Sequence, residues 1–216
     1  MFSELFDELS QRSITLVAVS KTHPADRILS LYAQGQRHFG ENRPQEMLEK
    51  QRTLPSDIHW HFIGHLQTNK VRLIAPFVAL IHSIDSFKLL QEVDKQAGKV
   101  GRIQDCLLQF HIAREETKFG FDELAAPSML SSPAFKSLQH VRICGVMGMA
   151  TFTDDTEQVR SEFRELRRLF NVLKRDFFAS APHFRECSMG MSGDWRLAIE
   201  AGSTMVRIGS LIFGER

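Results

Sequence analysis

The feature that most constrains this chain is an alternation: short apolar runs and amphipathic segments follow one another eight times over its 216 residues. The runs read as strands at 16–20, 37–40, 58–63, 78–82, 103–112, 141–146, 183–188 and 204–208. Leu16-Val17-Ala18-Val19-Ser20 is apolar without alternation, the pattern of a strand buried on both faces in a parallel sheet. Helical spacing fills the gaps, over 24–33, 43–51, from about Gln67, from Ser86, from about Phe121, over 157–177 and over 194–200. Ser86 stands at an N-cap before Leu89, Leu90 and Val93 on one face. In the long helix Val159, Phe163, Leu166, Phe170 and Leu173 form one stripe, which is expected to pack into a core. Strands alternating with helices imply a parallel sheet with right-handed crossovers. Eight units in a chain close to the ~250 residues typical of the fold predict an α/β architecture, a single (β/α)8 TIM-type barrel over residues 1–216. An open doubly wound sheet is the alternative, but no Gly-x-Gly-x-x-Gly follows the first strand.

Composition excludes several function classes. The net charge is +1, and the densest basic cluster, Arg164, Arg167, Arg168, Lys174 and Arg175, alternates with apolar residues as a solvated helix face does. No nucleic-acid partner is expected. No window has the length of a membrane span, and the first residues lack the apolar core of a signal peptide. Cys106, Cys144 and Cys187 are odd in number and lie in or beside apolar runs. Buried free thiols in a reducing compartment, the cytoplasm, are the simplest reading.

In such a barrel the active site lies at the carboxyl ends of the strands. Those ends hold Lys21, Gly40-Glu41-Asn42, Gly64-His65-Leu66-Gln67, His82-Ser83, Met147-Gly148-Met149, Ser188-Met189-Gly190-Met191-Ser192 and Arg207-Ile208-Gly209-Ser210. Lys21 directly follows the first strand. Burial there would disfavour its ammonium and leave an amine able to attack a carbonyl, the chemistry of a Schiff-base lysine. A lysine that merely solvates a strand end is the other reading. Ser188 to Ser192 and Ile208-Gly209-Ser210 are either tight turns or an anion site, since amides at helix starts and side-chain-free glycines admit a phosphate. Arg207 can only donate hydrogen bonds. It would pair with a carboxylate or, for a pyridine aldehyde, donate to the ring nitrogen.

These residues fall in motifs: Val17-Ala18-Val19-Ser20-Lys21-Thr22, Phe39-Gly40-Glu41-Asn42, His61-Phe62-Ile63-Gly64, Leu66-Gln67-x-Asn69-Lys70, Ser188-Met189-Gly190-Met191-Ser192, and Gly202-Ser203-Thr204-Met205-Val206-Arg207-Ile208-Gly209 with Ile212-Phe213-Gly214. Together they resemble the pyridoxal phosphate homeostasis proteins, related in fold to the barrel domain of alanine racemase, over essentially the whole chain. The resemblance implies pyridoxal 5′-phosphate held by Lys21 as a Schiff base. It implies phosphate contacts from Ser188, with Met189 beside it, and from the backbone around Ile208 and Gly209. Arg207 would meet the ring nitrogen and Asn42 would lie beside the cofactor. The implied role is to hold and release the cofactor for vitamin B6 homeostasis, supplying apo-enzymes and influencing amino-acid and keto-acid balance. Few residues precede the first strand, so a short leading helix is expected, with Phe2, Leu5, Phe6 and Leu9 on one face.

The competing reading is a racemase of low activity on the same cofactor. Racemisation needs a second acid/base opposite the lysine, which alanine-racemase-like enzymes supply as a partner subunit's tyrosine, using an additional domain. Tyr32 is the one tyrosine here, on the first outer helix, and the missing domain favours a monomer. Lys118, Cys144 and His65 are the other candidates for residual activity. A Schiff-base aldolase without the cofactor would leave Arg207 and both turns unexplained. His59 and His61 alternate on a strand without the Cys or carboxylate partners of a metal site, so no metal is expected.

Overall fold

The computed structural model describes residues 2–114 and 119–214. Eight parallel strands close into a barrel in sequence order. They are β1 (Thr15–Val19), β2 (His38–Glu41), β3 (His59–Phe62), β4 (Leu80–Ile84), β5 (Gln104–Gln109), β6 (Val141–Met147), β7 (Glu186–Ser188) and β8 (Met205–Ile208). The ring shuts where β8 pairs with β1, Leu16 against Val206 and Val17 against Arg207. Around it run α1 (Phe2–Gln11), α2 (Ala25–Ala33), α3 (Pro44–Thr53), α4 (Val71–Ile74), α5 (Phe87–Lys99), α6 (Ala125–Ser131), α7 (Pro133–Lys136), α8 (Thr156–Asp176), α9 (Trp195–Glu200) and α10 (Ser210–Phe213).

Strand residues alternate between two cores, as the period of two requires. Ala18, Phe39, Phe62, Ile81, Cys106, Leu108, Val146 and Cys187 point outward and pack under the helices, where the α8 stripe Val159, Phe163, Leu166, Phe170 and Leu173 meets them. Val17, Leu80, Leu107, Cys144, Met147 and Met205 fill the interior. The short α1 lays Leu5 and Leu9 over Leu16, Val206 and Ile208, covering the seam. Ser86 caps α5 by accepting from the Leu89 amide. All three cysteines are free and buried, and burial pushes the thiols of Cys144 and Cys187 up to about 12.

Four local expectations are corrected. β4 starts at Leu80 rather than at residue 78, because the Val78 amide still bonds to Ile74 at the close of α4. The helix after β5 starts at Ala125, since Phe121 pairs with Phe110 as a single ladder contact and Asp122 accepts from the amides of Leu124 and Ala125. β7 spans only 186–188, because Phe184 stacks between Phe170 and Phe178 instead of joining the sheet. The turn after Gly209 continues into α10, which the sequence pattern did not suggest. Among the described residues no helix is long and apolar enough to cross a membrane.

Candidate functional site

The carboxyl ends of the strands surround a cavity of about 870 Å³. Lys21, Asn42, Gly64, Gln109, Met149, Arg207 and Gly209 line it, so residues far apart in sequence share one cavity. Lys21 follows the end of β1 and Arg207 lies in β8, and these two strands pair across the seam. Phe119, Phe152 and Met191, all exposed, also line the cavity. His65 stacks on Phe119 with centroids 4.1 Å apart and pairs with Asp85.

The loop bearing Lys21 is built with strain and held by a buried ionic network. Thr22 has a φ of 67°, a conformation costly for a β-branched residue. Its amide donates to Glu46 Oε1 at 2.5 Å. Lys50 Nζ then donates to Glu46 and Glu41, 2.7 Å each, and to the Ser20 carbonyl at 2.8 Å. Ser20 Oγ donates to the same Glu41 oxygen at 2.7 Å. The residues on either side of Lys21 are thus tied to α3 and β2. His23 stacks on Phe213 at 4.6 Å, tying the far side of the loop to α10. Burial raises the Glu41 carboxyl above the usual range against the pull of Lys50, while Lys50 and the Thr22 amide hold Glu46 low.

Asn42 is seated by Gly64. A Cβ at residue 64 would come within 2.6 Å of the Asn42 carbonyl oxygen, so only glycine lets the end of β3 approach this closely. Asn42 Oδ1 is buried without a hydrogen-bond partner among the described residues, an acceptor at the cavity wall.

Arg207 is 4 % exposed. Its Nη1 donates to Ser188 Oγ at 2.7 Å and its Nη2 to the Gly148 carbonyl at 3.0 Å. A neutral hydroxyl and a carbonyl accept its hydrogen bonds, and the charge of the Asp194 carboxylate also acts on it. Burial lowers it to about 10, so it remains cationic at neutral pH. Behind Ser188 stand His82, His61 and His38, each within hydrogen-bond reach of the next.

The residues expected on the phosphate side are placed at different depths. Ser188 is fully buried beneath Arg207, Met189 lies in the outer core and Ile208 faces α1, so none of the three lines the cavity. The Met189 amide is used by Met205, and the Gly209 amide donates to Ser192 Oγ at 3.2 Å. Met191, Ser192, Gly193, Asp194, Gly209 and Ser210 are the residues of these two turns that reach the wall. Gly190 makes the first turn possible: its φ is 96°, and a Cβ there would meet Ala198 at 2.6 Å.

Of the residues weighed for acid/base work, Tyr32 donates to Asp57 at 2.7 Å, and its neighbour Arg37 directly precedes β2, at the opposite mouth of the barrel. Cys144 faces the interior core, and Lys118 lies outside the described residues. No group of three or more His, Cys, Asp or Glu able to hold a metal occurs among the described residues. Sequence reasoning missed the Glu41–Lys50–Glu46 network, although the four-residue spacing of Glu46 and Lys50 on a helix was a usable signal. It also missed the histidine column, although His61 and His82 were each noted separately.

The sequence profile described as "Alanine racemase, N-terminal domain" matches residues 4–216. A relative from Aquifex aeolicus named "Pyridoxal phosphate homeostasis protein" is 42% identical over 93% of this chain and 86% of its own length. PipY of Synechococcus elongatus, whose structure holds pyridoxal phosphate, superimposes with a TM-score of 0.85 at 38% identity, covering 99% of this chain and 100% of PipY. An alanine racemase from Clostridium difficile shares the fold, with a TM-score of 0.72 at 14% identity over 94% of this chain and 53% of its own. The chain belongs to the pyridoxal phosphate homeostasis protein family.

Proposed function

We propose, from that membership, that this chain binds pyridoxal 5′-phosphate through Lys21 and serves as an intracellular holder and supplier of the cofactor. The observation that supports the reading is that Lys21, just past the end of β1, and Arg207, on the neighbouring β8, line the same cavity. The residues present fit the group. Lys21 supplies the amine, Arg207 a fixed donor held by Ser188 and the Gly148 carbonyl, Asn42 a buried acceptor with no hydrogen-bond partner among the described residues, and Ser192 and Ser210 hydroxyls beside two glycines for an anionic end.

In this reading Lys21 Nζ adds to the aldehyde carbon, a carbon–nitrogen double bond forms, and the oxygen leaves as water. Arg207 donates to the pyridine nitrogen and keeps it unprotonated, which makes the ring a weaker electron sink than an aspartate partner would. When bound, the group supplies an electrophilic aldehyde and a ring able to accept electrons. Residues of the Met191–Asp194 and Gly209–Ser210 turns take the phosphate, in place of Ser188, Met189 and Ile208. Apo-enzymes that need the cofactor are the partners, the chain acts as one barrel over residues 1–216 and as a monomer, and a cytoplasmic location fits its composition. The position of Tyr32 at the far mouth supports holding over racemisation, as do the relatives' names.

Adding pyridoxal 5′-phosphate should produce a visible absorbance band that is lost in Lys21→Ala. A protein that stays colourless and takes up none overturns the reading. Turnover of alanine by loaded protein near 1 per second or more, the range of ordinary enzymes, would favour a racemase instead.

A further inference from the structure

The barrel interior, which in this fold is filled mainly by branched aliphatic layers, here contains a continuous polar column. His38 Nδ1 lies 2.9 Å from His61 Nε2, and His61 Nδ1 lies 2.9 Å from His82 Nε2. His82 Nδ1 lies 3.0 Å from Ser188 Oγ, which Arg207 Nη1 reaches at 2.7 Å. The column begins at the first residue of β2, at the amino-terminal mouth, and ends at the cavity. His61, His82, Ser188 and Arg207 are all buried, and His59 stacks on His38 at the outer end. Burial lowers His38 to about 4 and holds His61 and His82 well below the usual histidine range, so all three rings are neutral at pH 7.

A neutral imidazole has one donor and one acceptor nitrogen, and here the direction is forced from one end. Arginine only donates, so Ser188 Oγ accepts from Arg207. Among the described residues the serine proton then has His82 Nδ1 as its acceptor, and a buried hydroxyl left unpaired is destabilising. His82 therefore carries its proton on Nε2 and donates to His61 Nδ1. His61 in turn carries its proton on Nε2 and donates to His38 Nδ1. The opposite polarity would strand the Ser188 proton.

We propose that His82, His61 and His38 are positioning residues that act through Ser188 as a single directed relay, fixing the Arg207 guanidinium at the cavity wall. In this role Ser188 orients the arginine and makes no phosphate contact. Only the last link, from Arg207 to a pyridine nitrogen, rests on the cofactor reading; the proton positions do not.

The test begins with long-range nitrogen–proton NMR of the histidines in cofactor-free wild-type protein at neutral pH, which needs no variant to fold. The expected result is the Nε2–H tautomer at all three rings. A proton on Nδ1 of His82 or His61 overturns the relay. A second arm measures release of pyridoxal 5′-phosphate from loaded protein in Ser188→Ala and His82→Asn. Asn at 82 can still offer an acceptor to Ser188 but cannot reach His61. Release about tenfold faster in both variants, equivalent to ~1.4 kcal/mol, with a shifted absorbance maximum, supports action along the column. Wild-type release and spectrum in His82→Asn overturn it. If the tautomers are as stated but no cofactor binds, the relay stands and the cofactor reading falls.

Discussion

Replacing Lys50 by methionine removes the one cation from the network that anchors the Lys21 loop. The chains are similar in length, so packing is largely kept and charge is lost. Glu41 has a fully buried side chain, and its Oε1 would keep only the Ser20 hydroxyl. Its Oε2 has no partner among the described residues even with Lys50 present. Breaking a buried pair from one side costs about 3–5 kcal/mol, a large part of the 5–15 kcal/mol that ordinarily separates folded from unfolded protein. The variant should respond by taking up a proton on Glu41, whose carboxyl burial already raises. With the folded value above the unfolded one, the folded state binds more protons. The penalty relative to wild type therefore shrinks as pH falls from 7 towards 5, by at most about 1.4 kcal/mol per pH unit. Replacing Glu41 by glutamine as well removes the stranded charge and should recover most of the loss. Urea unfolding of the wild type, both single variants and the double variant reads this directly. A Lys50→Met protein within about 0.5 kcal/mol of wild type, or a double variant no better than Lys50→Met, refutes the reasoning.

Two further outcomes follow from the barrel interior and the rim. His38 is lowered from 6.5 to about 4, so its stabilising contribution is fully present above about pH 6.5 and lost as pH falls towards 4. At pH 5 the loss relative to pH 7 is about 2 kcal/mol, and His61 and His82 act in the same direction. In His38→Gln the drop in unfolding free energy between pH 7 and pH 5 should be smaller than in wild type by about that amount; an unchanged drop contradicts a neutral His38. Gly64→Ala drives a Cβ against the Asn42 backbone, which should cost about 1–3 kcal/mol of stability and weaken cofactor affinity. Wild-type unfolding and affinity, measured by urea titration and absorbance titration, would count against the role given to Gly64.

Much of this architecture is legible in the residues because the barrel repeats one pattern eight times, and each apolar run restates it. Lys21 draws notice for a related reason, as a polar residue just after an apolar run, and Arg207 as a charge inside one. Strand parity accounts for where the Ile208 side chain lies, since an inward Arg207 turns its neighbour outward, towards α1. Ser188 does face inward, but one layer below the cavity, a depth no local pattern reports. Phe184 misled the reading of β7 because a stacked aromatic cluster and a buried strand make the same apolar signal. The histidine column needed register. β3 pairs its His59 with His38, and β4 pairs its Leu80 with His61. Each imidazole therefore meets the one two residues further along the next strand, an offset set by barrel closure.

The central claim is that Lys21 carries the cofactor, and trapping that bond tests it most directly. Protein incubated with pyridoxal 5′-phosphate is reduced with borohydride, digested and mapped by mass spectrometry. The account predicts one near-stoichiometric phosphopyridoxyl label on the peptide containing Lys21, absent from that peptide in Lys21→Arg. A label spread over surface lysines, or bound cofactor with Lys21 unmodified, would contradict it.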